Sequence, residues 1–298
     1  MKTIETLVED IYARLASPEP FDEKLVETFA HNLAKKLANR LAEEKQNTKL
    51  RLSNWDTKCE RQLWLKINKP ETVEELPPHV RLKFLMGDIA EEVIFFLAVA
   101  AGHNVEGEQD TLNLAGVEGH RDGIIDGHLV DAKSASPYGF KKFEGHALQS
   151  DDPFGYLGQL GSYLAASIDD PRLHDKTRAS FVAIDKVSGK LCVDTYDFPV
   201  EGQSRGMANG DRLSVDIEAK KGMLSGPCPN KAYGDEEDGK SGNRKLGLAC
   251  SYCPVKSACW DNLRAFAYSN GPRFLTKVVK LPEVPEFDPK GEGPVGSD

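Results

Sequence analysis

Gly116–Ser136 reads GVEGHRDGIIDGHLVDAKSAS and sets three aspartates and one lysine among small and apolar residues. Asp126-Gly127 is a strong two-residue hairpin signal, so the segments around it, 118–125 and 128–134, are expected to pair as antiparallel strands. Side chains alternate along a strand, so Asp131 and Lys133 share one face while Ala132 takes the other. The hairpin then brings Asp122 near Asp131. Asp126 is the rival second acid and reads as the turn residue. Two carboxylates beside one lysine suit a divalent cation, which takes hard oxygen ligands, and leave the lysine to position a water or steady developing negative charge. A bare D-x-K is more often an ion pair at a sheet edge, so its surroundings decide.

Working outward, the 298-residue chain is long enough for a substantial core, and 40% hydrophobic with 29% charged is ordinary globular usage. The longest apolar run, Ile94–Ala101, is too short to cross a bilayer, and the N-terminus carries acids where a signal peptide would be basic, so a cytoplasmic protein with no membrane partner is expected. Six cysteines, three of them within CSYCPVKSACW, suit metal binding in a reducing compartment better than a disulfide framework. The net charge of -9 argues against a protein that coats nucleic acid, yet Lys240–Lys280 holds eight Lys or Arg against one acid, Asp261. A basic rim on an acidic protein is one reading of that stretch and a plain solvated face is the other.

Residues 1–48 read as an N-terminal helical region, with apolar residues of 22–45 at helical spacing. A loop and short helix follow up to Pro70. A long helix is expected from about Leu76 to Ala101, with Gly102 closing it. Short strands occupy 104–115, 118–125 and 128–134. Then come a helix over YLGQLGSYLAAS, a strand pair RASFVAID and KLCVDTYDF joined at Ser188-Gly189, and a helix over 202–224. The last 18 residues, rich in Pro, Gly and acid, read as a mobile tail.

Three further pieces flank the D-x-K in order. MGDIAEE places Gly87 and Glu91 on the long helix, Gly119 precedes Asp122 by three, and YLGQLGSY sets Gln159 and Tyr163 one helical turn apart. This ordered set resembles the RecB-like branch of the PD-(D/E)xK nuclease superfamily over roughly residues 50–262. The departure is Glu91 where many relatives carry histidine, and phage recombination exonucleases of the superfamily look similar there.

The resemblance implies an α/β fold with a mixed central sheet of about five strands flanked by helices, a restriction-endonuclease-like core. It implies a nuclease domain over 49–264, a C-terminal extension over 265–298, and one cooperative unit. It implies Mg or Mn on Glu91, Asp122, Asp131 and the backbone carbonyl of Ala132, with Lys133 orienting or helping to deprotonate the attacking water and Gln159 and Tyr163 positioning Lys133 or the strand. The expected activity is a metal-dependent DNA exonuclease in recombination, repair or phage DNA processing, acting on single-stranded or frayed DNA, with a helicase or recombination protein as possible partner. A catalytically silent DNA- or helicase-binding protein and a redox sensor are the other classes.

Cys250, Cys253 and Cys259, with Cys59 far upstream in a C-x-R-x-L-W context, resemble the 4Fe-4S staple of the CRISPR-associated exonucleases and the AddB nuclease domain. Four thiolates are the expected ligands of such a cluster. A local zinc site with Cys228 as fourth thiolate is the competing reading. Cys192 reads as a small buried residue on a strand. Histidines near the strands, His103, His120, His128 and His146, lack metal-ligand spacing and default to loops or the surface, with His120 notable for lying two before Asp122. Arg81, Lys83, Lys141, Lys142 and Arg178 are candidate DNA-backbone contacts near the acids. Arg244, Lys245, Lys256 and Arg264 are candidates along the basic stretch, with Trp260 either stacking a base or covering the cysteines.

Overall fold

The computed structural model describes residues 2–41, 49–75, 78–198 and 210–288. In chain order, helices α1 (Leu7–Ala16), α2 (Glu23–Leu41), α3 (Glu60–Asn68) and α4 (Pro78–Ala100) precede strands β1 (Val105–Glu106), β2 (Thr111–Leu114), β3 (Val117–His120), β4 (Gly123–Ile125) and β5 (His128–Ala135). Helices α5 (Pro137–Glu144) and α6 (Tyr156–Ala166) lead to β6 (Arg178–Asp185) and β7 (Leu191–Asp197), then α7 (Gly210–Ser225). The chain closes with β8 (Asp235–Glu237), β9 (Arg244–Leu246), α8 (Leu248–Ser251), α9 (Lys256–Cys259), β10 (Arg264–Tyr268), β11 (Gly271–Lys277) and β12 (Glu286–Phe287). Residues 42–48, 202–209 and 289–298, which the sequence reading gives to helix, helix and tail, lie outside the described residues.

Two compact units emerge. The first holds α1, α2, Leu50–Asp56 and Leu82–Lys221; the second holds Thr57–Arg81 and the chain from Gly222 on.

The first unit is α/β. Its mixed sheet runs β1-β4-β5-β6-β7, with β5 and β6 parallel and the other pairs antiparallel. A parallel pair needs a crossover, and α5 and α6 supply it between β5 and β6. The hairpin joining β4 to β5 pairs Ile125 with His128, and its turn residues Asp126 and Gly127 sit at φ +51° and +77°. Both central residues at positive φ define the tight turn whose twist matches a strand pair. Gly102, at φ +87°, follows α4 as its expected stop.

Alternation on β5 splits the core between two faces. Leu129, with Ile124 and Phe181 of neighbouring strands, packs against Phe140 and Phe143 of α5 and Leu157, Leu160 and Leu164 of α6. Val130, with Ile125 and Val182, packs against Leu7 and Ile11 of α1 and Ile94, Phe95 and Ala98 of α4. Each fully buried aliphatic contributes about 1.5–3 kcal/mol, so a one-residue slip of β5 would cost several such burials and expose both faces at once. That cost holds Asp131 and Lys133 on the α6 side.

The second unit contains an antiparallel sheet, β12-β10-β11-β9-β8, which the sequence reading does not anticipate. Its outer strands DEE and RKL lack apolar alternation; they pair through charge, Arg244 with Asp235 at 2.7 Å and Lys245 with Glu236 at 3.2 Å. The expected tail is also corrected in part: Glu286–Phe287 is strand β12, paired with β10. Among the described residues no helix is long and apolar enough to cross a membrane.

Candidate active site

Asp131 is wholly buried in the middle of β5, and Lys133 Nζ lies 2.5 Å from its Oδ2. Asp122, just ahead of β4, reaches across the hairpin and accepts the backbone N–H of Ala132 at 2.8 Å. From α6, Gln159 Nε2 donates to Asp131 Oδ1 at 3.0 Å and to the Tyr163 hydroxyl at 3.2 Å. Glu91 comes from α4 and accepts from Lys36 Nζ of α2 at 2.8 Å and from Gln109 Nε2 at 2.7 Å. Ala132 packs its side chain into the opposite core, so its backbone alone faces this group.

The electrostatics show acids held close against repulsion. Burial raises the Asp122 pKa well above the carboxylate range, and the charges of Asp131 and Glu91 push it further. Burial likewise raises Glu91, opposed by Lys36. At Lys133 burial works downward, but Asp131 and Asp122 together outweigh it and the ammonium is retained. Tyr163 stays a phenol: burial, then Asp131 and Asp122, raise its pKa. Lys133 is thus held as an ammonium against Asp131.

Some motif residues have a visible steric reason and others do not. A Cβ on Gly119 would lie 2.9 Å from Cε1 of Tyr163 and 2.8 Å from Cβ of Leu52, so the glycine lets β3 and α6 approach. A Cβ on Gly87 would meet no atom within 4 Å, and nothing in the structure requires glycine there. Asp126 is the turn residue: it accepts from the Asn104 N–H at 2.9 Å and pairs with His103 Nδ1 at 2.6 Å.

The default of loop or surface placement is corrected for two histidines. His103 is buried between Asp10 and Asp126, and His128 is buried against Ser180 Oγ at 2.8 Å. His120 is exposed and faces Thr111, away from the acids. Cys192 is partly buried on β7 and burial lifts its thiol to about 12.

Sequence reasoning passed over Lys36, Glu92, Gln109 and Tyr156. Lys36 also pairs with Glu92 at 2.7 Å. Gln109 sits at φ +57°, a conformation that costs a non-glycine residue energy and is kept by its bonds to Glu91 and to the Asp122 carbonyl. The Tyr156 ring lies 4.9 Å from Lys133 Nζ. Tyr156 stands one turn before Gln159 on the same helix face, so helical spacing carried that signal; nothing in the α2 pattern marks Lys36.

In the second unit, burial raises the thiols of Cys250 and Cys253, the latter to about 12, and both are raised further by Cys59 and Cys259. Cys250 and Cys253 are thus influenced by Cys59, almost 200 residues away in sequence. Cys228 packs against the same small apolar cluster as Cys253 and Cys259, beside Trp64 and Val73. Trp64 Nε1 donates to the Gly226 carbonyl at 3.0 Å and Arg61 to the Pro229 carbonyl at 2.9 Å, tying α3 to the segment that carries Cys228. Trp260 is partly buried and packs with Cys250 against Leu246, Ala265 and Phe274, with Lys231 Nζ over its ring at 3.9 Å. Among the described residues no three His, Cys, Asp or Glu side chains form a ready metal-ligand group.

Along the basic stretch, Arg244 and Lys245 pair with Asp235 and Glu236, Lys256 is buried and pairs with Glu74, Arg264 pairs with Glu286 at 2.5 Å and Arg273 with Asp238 at 2.7 Å, so five of its eight cations are engaged in ion pairs. Of the other candidates, Arg178 pairs with Asp175 at 2.7 Å and Lys142 with Asp151 at 2.6 Å, whereas Lys141 is exposed.

No protein-family model matches this chain, and no curated protein matches it. Among solved structures it is similar to one described as the crystal structure of SSO0001, at 15% identity, covering 77% of this chain and 95% of that one with a TM-score of 0.38. A likeness of that size carries no argument about fold or function.

Proposed function

We propose that the protein is a metal-dependent deoxyribonuclease with a restriction-endonuclease-like core, hydrolysing phosphodiester bonds in single-stranded or frayed DNA as an exonuclease. The observation that carries this reading is the grouping of Asp122 and Asp131 with Lys133 at the β4–β5 hairpin, with Glu91 of α4 close enough for its charge to act on Asp122 and Gln159 of α6 bonded to Asp131.

Carboxylates are the ligand type a hard cation takes, and these three side chains would have to draw closer to hold one, since among the described residues none are grouped as a ready ligand set. Asp131 Oδ2 is buried and lacks an aligned hydrogen bond despite the nearby ammonium, and Asp122 and Glu91 are buried acids that repel each other. Glu91, Asp122, Asp131 and the Ala132 carbonyl would hold Mg or Mn, which would activate a water and offset charge on the phosphoryl oxygens. In the hydrolysis, the water oxygen forms a bond to phosphorus, the bond to the leaving oxygen breaks, and that oxygen takes up a proton. Lys133 contributes a fixed ammonium beside the phosphoryl oxygens, worth most where water is excluded. Gln159 holds Asp131 in register by donating to Oδ1. A 4Fe-4S cluster on Cys59, Cys250, Cys253 and Cys259 would brace the second unit; a zinc site with Cys228 as a thiolate is the alternative, Cys228 packing in the same cluster as Cys253 and Cys259.

The test is cleavage of single-stranded, duplex and circular DNA, labelled at either end, in Mg and in Mn. Stepwise shortening from an end, abolished by EDTA and by Lys133→Ala, is the expected result. Equal cleavage by Lys133→Ala and wild type removes the assigned site, and intact binding with no cleavage under any metal favours the silent DNA-binding class.

A further inference from the structure

The mouth of the site is lined by aromatic rings that no step of hydrolysis uses. Tyr156 opens α6 with its ring 4.9 Å from Lys133 Nζ, and the Phe154 ring centroid lies 5.5 Å from that of Tyr156. Phe154 is 66% exposed. Its position is nonetheless fixed. Asp152 caps α6, accepting the N–H groups of Tyr156 and Leu157 at 2.9 Å each, and Gly155, at φ +76°, sits close against the Asp56 backbone with no room for a side chain. A rigid turn therefore presents a large aromatic face to solvent one ring away from the ammonium that would meet the scissile phosphate. At the start of α5 a second ring, Tyr138, is 73% exposed with Lys142 Nζ 5.5 Å from its centre. Asp152 is consumed by the helix end, Asp151 by Lys142, and Lys141 stands exposed on the same helix.

We propose that Phe154, supported by Tyr156, is a stacking platform for an unpaired nucleobase next to the scissile phosphate, so that the site selects single-stranded nucleic acid. Every base has a π-face, and stacking on an exposed aromatic is tolerant of sequence. A duplex keeps its bases stacked on one another and has none to give. The platform lies here and not at Trp260, whose ring packs with Cys250. This inference rests on the phosphodiesterase reading of the same site.

Anisotropy of a labelled oligothymidylate measured in Ca tests it, against a strand of the same length carrying abasic sugars and against a blunt duplex. Wild type is expected to bind the oligothymidylate at least about tenfold more tightly than the abasic strand, the scale of losing one stacked base. Phe154→Ala is expected to erase that preference while leaving abasic-strand and duplex binding unchanged, and Phe154→Trp to keep it and show fluorescence quenching on binding. Equal discrimination by Phe154→Ala and wild type, or a loss that is the same for base-bearing and abasic strands, overturns the platform alone. Failure of wild type to bind any of the three sinks the phosphodiesterase reading beneath it.

Discussion

The backbone N–H of Ala132 donates to Oδ2 of Asp122 at 2.8 Å, so the acid ahead of the hairpin is pinned to the residue between Asp131 and Lys133. That bond keeps a strained carboxylate where burial and the Asp131 charge would both protonate it. Its folded pKa lies above the unfolded value, so the stability tied to its proton is complete below the ordinary value of 3.8 and lost as pH rises through the raised one. At pH 7–8 Asp122→Asn, which cannot ionise and keeps an acceptor for Ala132, is expected to raise Tm by about 2–4 °C, the shift for roughly 1 kcal/mol in a domain of this size, and to abolish cleavage. Magnesium should stabilise wild type and leave the variant unmoved. A lower Tm for the variant without metal would contradict the account.

Lys133 and Asp131 should each be indispensable to turnover. Alanine at either position is expected to lower kcat by at least about 100-fold, the scale of removing one electrostatic group from a site. Gln159→Ala should cost roughly tenfold, since it orients Asp131 without touching substrate. Tyr163→Phe should cost least, because its hydroxyl accepts from Gln159 and Asp131 keeps its bond. Steady-state kinetics on a short single strand rank the four variants; Tyr163→Phe falling below Lys133→Ala would reverse the roles.

Lys36 is the internal cation of Glu91 and Glu92. Replacing it with methionine leaves two adjacent buried acids unanswered, so Lys36→Met is expected to melt lower without metal and to gain more from magnesium than wild type does. Half-saturation should come at lower magnesium. Thermal melts across a magnesium titration read both quantities, and an unshifted titration would show that Lys36 does not compete for Glu91.

The cysteines separate two metals by one pair of variants. Protein purified without oxygen is expected to carry iron and sulfide, to lose both in Cys59→Ala and to retain both in Cys228→Ala. Metal analysis showing zinc that survives loss of Cys59 and disappears with Cys228 establishes the local site instead.

His128 gives the fold a pH dependence of opposite sign to Asp122. Burial, the largest influence, holds its pKa below the ordinary 6.5, so the folded state carries it neutral while the unfolded chain takes up a proton as pH falls. Stability is complete above 6.5 and declines below it toward the lowered folded pKa. His128→Gln, which preserves a partner for Ser180, should lose less Tm than wild type between pH 7.5 and 5. Parallel losses in the two proteins would assign the pH dependence elsewhere.

Periodicity and turn chemistry made β4, β5 and their hairpin legible, because Asp126-Gly127 has one favourable local conformation and each strand face must match a core. Periodicity put Asp131 with Lys133 and Gln159 with Tyr163 on shared faces, but that these and the other acids belong to one site was an expectation of the family resemblance alone. Strands β8 and β9 were not legible. Their residues are charged, and they become strands only through cross-strand partners such as Asp235 and Arg244.

By itself the sequence determined the β4–β5 hairpin, the shared face of Asp131 and Lys133 and the identity of the chemical groups, since these follow from turn chemistry and local spacing, while the α/β class came with the family resemblance. Tertiary structure alone decided that Lys36 answers Glu91, that Gly119 makes room for Tyr163, that Arg244 and Arg264 of the basic stretch pair with Asp235 and Glu286, and that Phe154 lies beside the Tyr156 ring that meets Lys133. Most of those relationships join residues far apart in the chain. Pairing energies between distant charges and rings depend on distances of a few ångströms, which no local pattern encodes.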